Sequence, residues 1–356
     1  MKIVQIMPEF GLGGAETMCA NLAIELARKG YEVIVISLYN THTSITENLE
    51  KNKIKVLYLD KKSGLNASII FKIKAIFREI KPDVVHTHLY AAKYAQIAAW
   101  LSGVKCRVHT IHNIASKDGG RLEQRINRFL IKHLHVIPVS LSDIIQETVV
   151  KTYNISKEKS PVVFNGVPLK KCVQHKKYEV AKKFIHIGRF TEQKNHLMLI
   201  KAFVKAHEQV DDIELYLYGC GELQNEAKEI SQKLNALKYI HFCGTTDNVY
   251  NVLNDADCFI LPSKWEGIPM TLIEAMGSAL PIIASKVGGI ENMLANEKSA
   301  ILINPVENEI IEAILKLHNN IELCKKIGQE ALCESKKFSA ENMAEAYSNI
   351  YRKELK

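Results

Sequence analysis

The sequence predicts an α/β protein of two Rossmann-like β/α/β domains whose strand ends face a central cleft. Three observations predict it. Short apolar runs alternate with helical stretches along the whole chain, the pattern of parallel sheets covered by helices on both faces. A glycine-rich turn, Gly11 to Gly14, joins the first apolar run to the first helical stretch. The alternation restarts after a Lys-rich, turn-rich stretch at 167–183, and a chain of 356 residues suits two domains of roughly 150 to 180 residues each.

The elements follow in order. KIVQIM reads as a strand, PEFGLGG as a turn and AETMCANLAIELARKG as a helix with Met18, Leu22, Ala23, Ile24 and Leu26 on one side and Gly30 as its stop, and YEVIVIS returns as a strand, completing a βαβ unit. Then come KIKVLYL, a basic helix near 66–80, PDVVHTH, a helix at 91–101, CRVHTIHN, a helix near 120–134 and HVIPVS. The second series runs FIHIG, helix 194–210, IELYLYG, helix 222–236, YIHFCG, helix 247–254, CFILPS, helix 270–277, PIIAS and helix 307–319. The expected division is 1–170, a linker near 170–180, 180–335, and a closing helix at 336–356 that is a candidate to pack back on the first domain.

Composition narrows the class. The chain is 47% hydrophobic and 24% charged with 9 Pro and 18 Gly, which excludes a disordered or collagen-like protein. No window approaches about 20 uncharged apolar residues and the start lacks a signal-peptide pattern, so a cytoplasmic location is expected. The eight cysteines form no C-x-x-C pair and no zinc-type spacing with histidine, and are expected as free thiols. Residues 1–175 carry 25 Lys and Arg against 14 Asp and Glu, a net +11 within a total of +8. A basic first half points to an acidic surface or ligand, and the lack of interleaved aromatics favours a membrane over nucleic acid.

Chemistry concentrates in a few stretches. The turn before the first helix lets backbone amides approach a phosphate or sugar. It is not G-x-G-x-x-G, because Glu16 stands at the third glycine position and no acid closes YEVIVIS, so a dinucleotide fingerprint is poorly supported. Arg189 and Lys194 stand five residues apart after a strand, where both can reach a diphosphate, Arg as a fork and Lys as a point charge. In PSKWEGIPMTLIEAMG, Glu266 falls in a loop, Pro269 suits a first helical turn and Glu274 lies inside the helix, whose first amides, at Met270 and Thr271, would face an anion. One carboxylate per sugar ring is a natural division of labour for Glu266 and Glu274. His112 follows a first-domain strand and His86 and His88 another; with His109 these are candidate ligand contacts, and none has metal-ligand spacing. A nucleophile elbow, a P-loop and an H-E-x-x-H motif are all missing.

Taken together, GGAE (13–16), T-I-H (110–112), VSLS (139–142), FNGV (164–167), GRF with Lys194 (188–194), YGCGE (218–222), PS..EG (262–267), the Glu266/Glu274 pair and S-x-x-GG-x-E (285–291) resemble a retaining glycosyltransferase of family 4, of GT-B fold and bacterial surface-polysaccharide type. The resemblance spans nearly the whole chain. It implies transfer of a sugar from a UDP- or GDP-linked donor to a glycan or polyprenyl-diphosphate-linked acceptor, in capsule, exopolysaccharide or O-antigen synthesis, without a metal or other cofactor. Carried over by position, Arg189 and Lys194 would bind the diphosphate with the amides of Gly13, Gly14, Met270 and Thr271. Glu274 would hold the ribose, Glu266 the transferred sugar, and His112 would sit at that sugar or the reacting centre. A departure is Ser278-Ala279, where the family more usually has Ala-x-Gly, the glycine here falling at Gly277. A sugar-nucleotide 2-epimerase of similar fold and a non-catalytic nucleotide-sugar-binding subunit remain as alternatives.

The segment 119–135 carries Arg121, Arg125, Arg128 and Lys132 on one side of a helix and Leu122, Ile126, Phe129, Leu130 and His133 on a neighbouring side. Such a helix can lie on an anionic membrane surface or can be a core helix with a solvated basic face. With the basic first half and the lipid-linked acceptors of the resembled family, the expectation is a peripheral association with the inner face of the plasma membrane.

Overall fold

The computed structural model describes residues 1–11, 13–115, 120–174 and 178–356. Leu12 of the first turn, Gly119 of the basic helix segment and 175–177 of the expected linker lie outside them. The chain divides into two compact units, Met1–Val167 with Ser339–Lys356, and Pro168–Phe338.

The first unit alternates β1 (Lys2–Met7), α1 (Gly14–Arg28), β2 (Glu32–Ser37), α2 (Ser44–Lys51), β3 (Lys55–Tyr58), α3 (Ser68–Ile80), β4 (Val84–His88), α4 (Ala92–Leu101), β5 (Cys106–Ile111), α5 (Arg121–His133), β6 (Ile137–Ser140) and α6 (Asp143–Tyr153). Its six parallel strands lie in the order β3-β2-β1-β4-β5-β6. Residues of β1, β2 and β4 are buried almost throughout, as strands covered on both faces must be. The second unit repeats the plan with β7 (Lys183–Ile187), α7 (His196–His207), β8 (Glu214–Tyr218), α8 (Gln224–Lys233), β9 (Ile240–Gly244), α9 (Val249–Asn254), β10 (Cys258–Leu261), α10 (Met270–Gly277), β11 (Ile282–Ser285), β12 (Ile301–Ile303), α11 (Glu307–His318) and α12 (Ile321–Ser335). Its order, β12-β11-β10-β7-β8-β9, is the same Rossmann arrangement seen from the other edge. In each sheet the strand order reverses between the first and fourth strands, β1 and β4 or β7 and β10, and ligands of such sheets bind at the carboxyl ends there.

Helix α13 (Ala340–Leu355) belongs to the first unit. Ser339 caps it by accepting from the Asn342 amide at 3.1 Å, and the Ala340 amide bonds the Val167 carbonyl at 2.9 Å. Tyr347 and Tyr351 of α13 are fully buried; their hydroxyls bond Thr110 of β5 and His86 of β4, each at 2.7 Å. Lys29 at the end of α1 pairs with Glu345 of α13 at 2.6 Å.

Candidate nucleotide-sugar site

In the second unit, the chain leaving β7 turns through Gly188, Arg189 and Phe190. The Gly188 and Phe190 amides bond the Tyr218 and Cys220 carbonyls at 2.9 and 3.0 Å, so this turn is stitched to the end of β8. Phe190 stacks on His196 with ring centroids 3.9 Å apart, which anchors the loop while leaving Arg189 exposed. Arg189 makes no ion pair among the described residues. Asn195, in the left-handed region at φ 59°, donates from Nδ2 to the Pro262 carbonyl at 3.1 Å, fastening this loop to the one that follows β10. The Lys264 amide bonds the Gln193 carbonyl at 2.8 Å.

That fastening brings Lys194 and Glu266 together. Lys194 Nζ lies 2.6 Å from Glu266 Oε1, both side chains being largely buried, and Gln193 Nε2 donates to Glu266 Oε2 at 3.3 Å and to the Trp265 carbonyl at 3.0 Å. A carboxylate this buried needs a cation and hydrogen bonds, and it has both. Gly288, at φ 55°, and Gly289 back this loop: a Cβ on either would collide with the backbone carbonyl of Glu266 or Gly267. The paired glycines of S-x-x-GG-x-E are therefore what lets the segment after β11 pass against the Glu266 loop.

Glu274, the fifth residue of α10 and 4% exposed, has a different environment. Burial without a cation pushes its carboxyl up to about 8, opposed by a hydrogen bond from Tyr250. Tyr250 is a partner of this candidate site residue that sequence reasoning missed; it stands in a short helix, α9, with no motif of its own. Met270 and Thr271 open α10 behind Pro269, which has extended backbone at φ −71° and ψ 125°. Their amides are helix N-terminal donors lacking intrahelical acceptors. Ser263 Oγ, just past β10, is buried with no partner among the described residues, and is a second polar group that the sequence did not single out.

Gly277 and Ala279 explain the departure after Glu274. A Cβ on Gly277 would meet Cys172 Sγ at 2.6 Å and Leu169 Cδ2 at 2.9 Å, so glycine is required there for packing. The left-handed conformation falls two residues later, on Ala279 at φ 58°, where a Cβ is unfavourable.

In the first unit, Gly13 caps α1 with extended backbone. The Glu16 carboxylate folds back against Gly13, so that a Cβ there would collide with it. The turn assigned to phosphate thus already faces an anion of its own. His86 and His88 lie within β4 rather than after it, and His109 lies within β5. Along β4, His86 and His88 point to one face and Thr87 to the other. Thr87 Oγ1 and its carbonyl bond His109 Nδ1 at 3.1 and 3.0 Å, and Gln96 of α4 donates to Thr87 Oγ1 at 2.8 Å; His109 is therefore a core residue. His112, just beyond β5, is half-buried and bonds His88 at 3.0 Å through Nε2. Burial and the neighbouring His109 push its pKa down to about 3.

Arg121, Arg125, Arg128 and Lys132 are all exposed on α5. Its apolar residues divide: Leu130 is buried and Ile126 half-buried, whereas Leu122 and Phe129 are 62% and 51% exposed. His133 is exposed with the cations. The eight cysteines are free. Among the described residues no cluster of three His, Cys, Asp or Glu could hold a metal ion, and no helix is long and apolar enough to cross a membrane.

Two parallel sheets of Rossmann order, the second ending in a cation–carboxylate loop beside a helix N-terminus, define a nucleotide-binding α/β class. Comparison narrows it. Residues 12–171 match the profile described as Glycosyltransferase Family 4, and 170–332 match Glycosyl transferases group 1. The chain is 30% identical over 258 residues, covering 66% of each chain, to the UDP-Gal:alpha-D-GlcNAc-diphosphoundecaprenol alpha-1,3-galactosyltransferase of Escherichia coli. It is 29% identical over 289 residues to the O-antigen biosynthesis glycosyltransferase WbnH of Escherichia coli, covering 79% of this chain and 80% of that one. The crystal structure of Anabaena HepE in complex with UDP-glucose shares the fold with a TM-score of 0.87 at 17% identity, over 99% of this chain and 100% of that one. The chain belongs to the family 4 glycosyltransferases of GT-B fold.

Proposed function

We propose that the protein is a retaining transferase that moves a sugar from a UDP-sugar to a polyprenyl-diphosphate-linked acceptor during synthesis of a bacterial surface glycan. The observation that carries the reading is the largely buried Lys194–Glu266 pair in the loops before α10, with Arg189, which is exposed and makes no ion pair among the described residues, five residues before Lys194. A leaving nucleotide diphosphate gains negative charge, and preorganised cations with a helix N-terminus stabilise that charge. Glu274, held by Tyr250, would accept from the ribose hydroxyls, and Glu266 would face the transferred sugar. The amides of Gly13 and Gly14 are further candidate phosphate donors in the first unit, where the Glu16 carboxylate lies against Gly13.

Retention is supported by what the side chains are poor at. Inverting transfer needs a general base, and His112, held neutral down to about 3 by burial, is a weak one. The carboxylate of Glu266 is engaged by Lys194. Neutralisation of the leaving group by these cations and amides is the basis for expecting transfer without a metal. The donor and acceptor classes are those in the name of the Escherichia coli relative, and WbnH supports the O-antigen setting. The exposed cations of α5 beside Leu122 and Phe129 suit peripheral docking on anionic lipid at the cytoplasmic face.

A panel of nucleotide sugars is incubated with a polyprenyl-diphosphate-linked sugar and EDTA. The expected result is free nucleotide diphosphate and a product whose anomeric configuration matches the donor's. An inverted product refutes retention, and loss of turnover restored by magnesium or manganese refutes metal independence. An epimerised donor with no acceptor product favours the 2-epimerase, and binding without turnover the non-catalytic subunit.

A further inference from the structure

The first unit carries a cleft of about 460 Å³ that sugar transfer does not use. It opens between the end of α3 and the turn that joins α4 to β5, lined by Phe77, Leu101 and Val104 together with Lys74, Arg78 and Lys81. Phe77 and Val104 are buried, Lys74 is half-buried, and Arg78 and Lys81 are exposed. The lining residues stand just ahead of β4 and β5, so the cleft lies at the amino ends of those strands. Ligands of a Rossmann sheet bind at the opposite, carboxyl ends.

Three cations line this cleft and no carboxylate does. None of the three makes an ion pair or a side-chain hydrogen bond among the described residues. Positions 74, 77, 78 and 81 recur at the spacing that puts them on one face of α3 and its end, so Lys74 and Arg78 form a like-charge pair one turn apart, which destabilises a helix. Lys81 ends α3 in the left-handed region at φ 51°, where glycine or asparagine is usual and another side chain is strained. Cations at a helix C-terminus complement its dipole, which accounts for Arg78 and Lys81. It does not account for Lys74, nor for a group of three without a counter-charge. The carbonyls at the end of α4 are already engaged: those of Ala98, Ala99 and Trp100 accept from the amides of Ser102, Val104 and Gly103. What the cleft lacks is an anion.

We propose that this cleft is a binding site for a phosphate ester, its phosphate held by Lys74, Arg78 and Lys81 and its organic body lying against Phe77, Leu101 and Val104. Arginine meets phosphate as a fork and lysine as a point charge. A bare phosphate ion would leave most of the space empty, whereas sites for small organic ligands begin at about 300 Å³. The inference stands apart from the transferase reading, in which none of these residues has a role.

Lysine acylation, read residue by residue by mass spectrometry in the full chain, tests it. Lys72, exposed on the same helix but outside the cleft, is the internal reference. A free ester and a lipid headgroup share this chemistry, so glycerol 3-phosphate in solution and vesicles of phosphatidylglycerol are the probes. One of them should slow labelling of Lys74 and Lys81 several-fold relative to Lys72, while sodium chloride at equal ionic strength and phosphatidylcholine vesicles do not. Protection by glycerol 3-phosphate assigns a soluble ester, and protection by phosphatidylglycerol alone assigns a lipid headgroup. Arg78→Gln should remove the protection in either case. Lys81→Gly separates binding from folding: it relieves the left-handed residue, so Tm holds or rises, while protection of Lys74 falls several-fold. Labelling that neither probe slows beyond its control overturns the proposal, as does protection that survives both Arg78→Gln and Lys81→Gly. Inorganic phosphate that protects as well as glycerol 3-phosphate overturns the ester and its apolar wall.

Discussion

Acid should destabilise this protein steeply, well above the pH at which carboxylates titrate. His86, His88, His109, His186 and His196 are at most 2% exposed, and burial is the leading cause that lowers each pKa, to about 4 for His109 and His186 and about 2 for His196. A group whose folded pKa is depressed gives full stability above its unfolded value and loses it as pH falls toward the folded one. For these histidines the window opens near pH 6.5 and runs downward. At pH 5.5 each costs somewhat more than about 1 kcal/mol, together about 7 kcal/mol. Glu274 works the other way: with its folded pKa raised to about 8, it contributes stability that grows as pH falls below that value and is lost as pH rises through it. Over the interval from about pH 7 to 5.5 it returns about 2 kcal/mol. The net loss of about 5 kcal/mol is the size of a modest domain's whole stability, and lowers Tm by about 10 to 20 °C. Calorimetric melts across this range test it, with His186→Asn as the control. Its amide can donate to the Ile260 carbonyl as His186 Nδ1 does at 2.8 Å, and it should restore about a quarter of the net loss. A Tm that stays constant within a few degrees from pH 7 to 5.5 would refute the reasoning.

Three further outcomes are expected. Arg189→Ala, at an exposed position with no ion pair among the described residues, leaves Tm unchanged and costs about 2 to 4 kcal/mol of transition-state stabilisation; near-normal kcat/KM would remove Arg189 from the diphosphate site. Ala279→Gly relieves the left-handed conformation at φ 58° and should stabilise the fold by about 1 kcal/mol, measured as a rise in denaturation midpoint. Cosedimentation with anionic liposomes falls with salt and drops when Arg121, Arg125 and Arg128 are replaced by Glu; binding that ignores both changes would leave α5 as a solvated helix.

Long periodic elements and the motif loops were legible because their signals are local. Hydrophobic alternation marks the strands, and Pro269 with the run behind it marks α10. Helix α2 was not legible: it has eight residues, SITENLEK, and forms on a cap between Thr43 and Thr46 rather than on an apolar stripe. β12, with three residues, is too short to carry a period, and α6 and α12 passed unnoticed beside stronger runs. At the site, the residue types at Arg189, Lys194, Glu266 and Glu274 were visible, but their partners were not. Tyr250 meets Glu274 only because α9 and α10 pack together, and His88 meets Gln5 only because β4 lies beside β1. Those pairings come from sheet order, which no short window contains. The need for glycine at 277 and the strain at 279 arise from Cys172, Leu169 and the local backbone, so the family's usual spacing named the right segment without showing which residue bore the constraint.

The Lys194–Glu266 pair looks at first like an obstacle, since a lysine bound to a carboxylate seems unavailable to a phosphate. An ammonium group has three donors, however, and a single contact to Glu266 Oε1 at 2.6 Å leaves donors for phosphate oxygens. What Glu266 does is hold a long, flexible side chain in one place while cancelling part of its charge. Removing that negative charge without removing the shape separates the two effects. In Glu266→Gln, Lys194 keeps an amide oxygen to bond but meets the diphosphate with its full charge, so plain nucleotide diphosphate should bind several-fold tighter, about 1 kcal/mol for relief of a partly screened like-charge repulsion. Turnover should fall, because the carboxylate proposed to face the sugar is gone and product leaves a tighter site more slowly. Calorimetric titration of UDP against both proteins, beside single-turnover and steady-state rates, reads each effect separately. Weaker UDP binding in Glu266→Gln would mean that the carboxylate serves the nucleotide rather than the sugar, and the division of labour between Glu266 and Glu274 would fall with it.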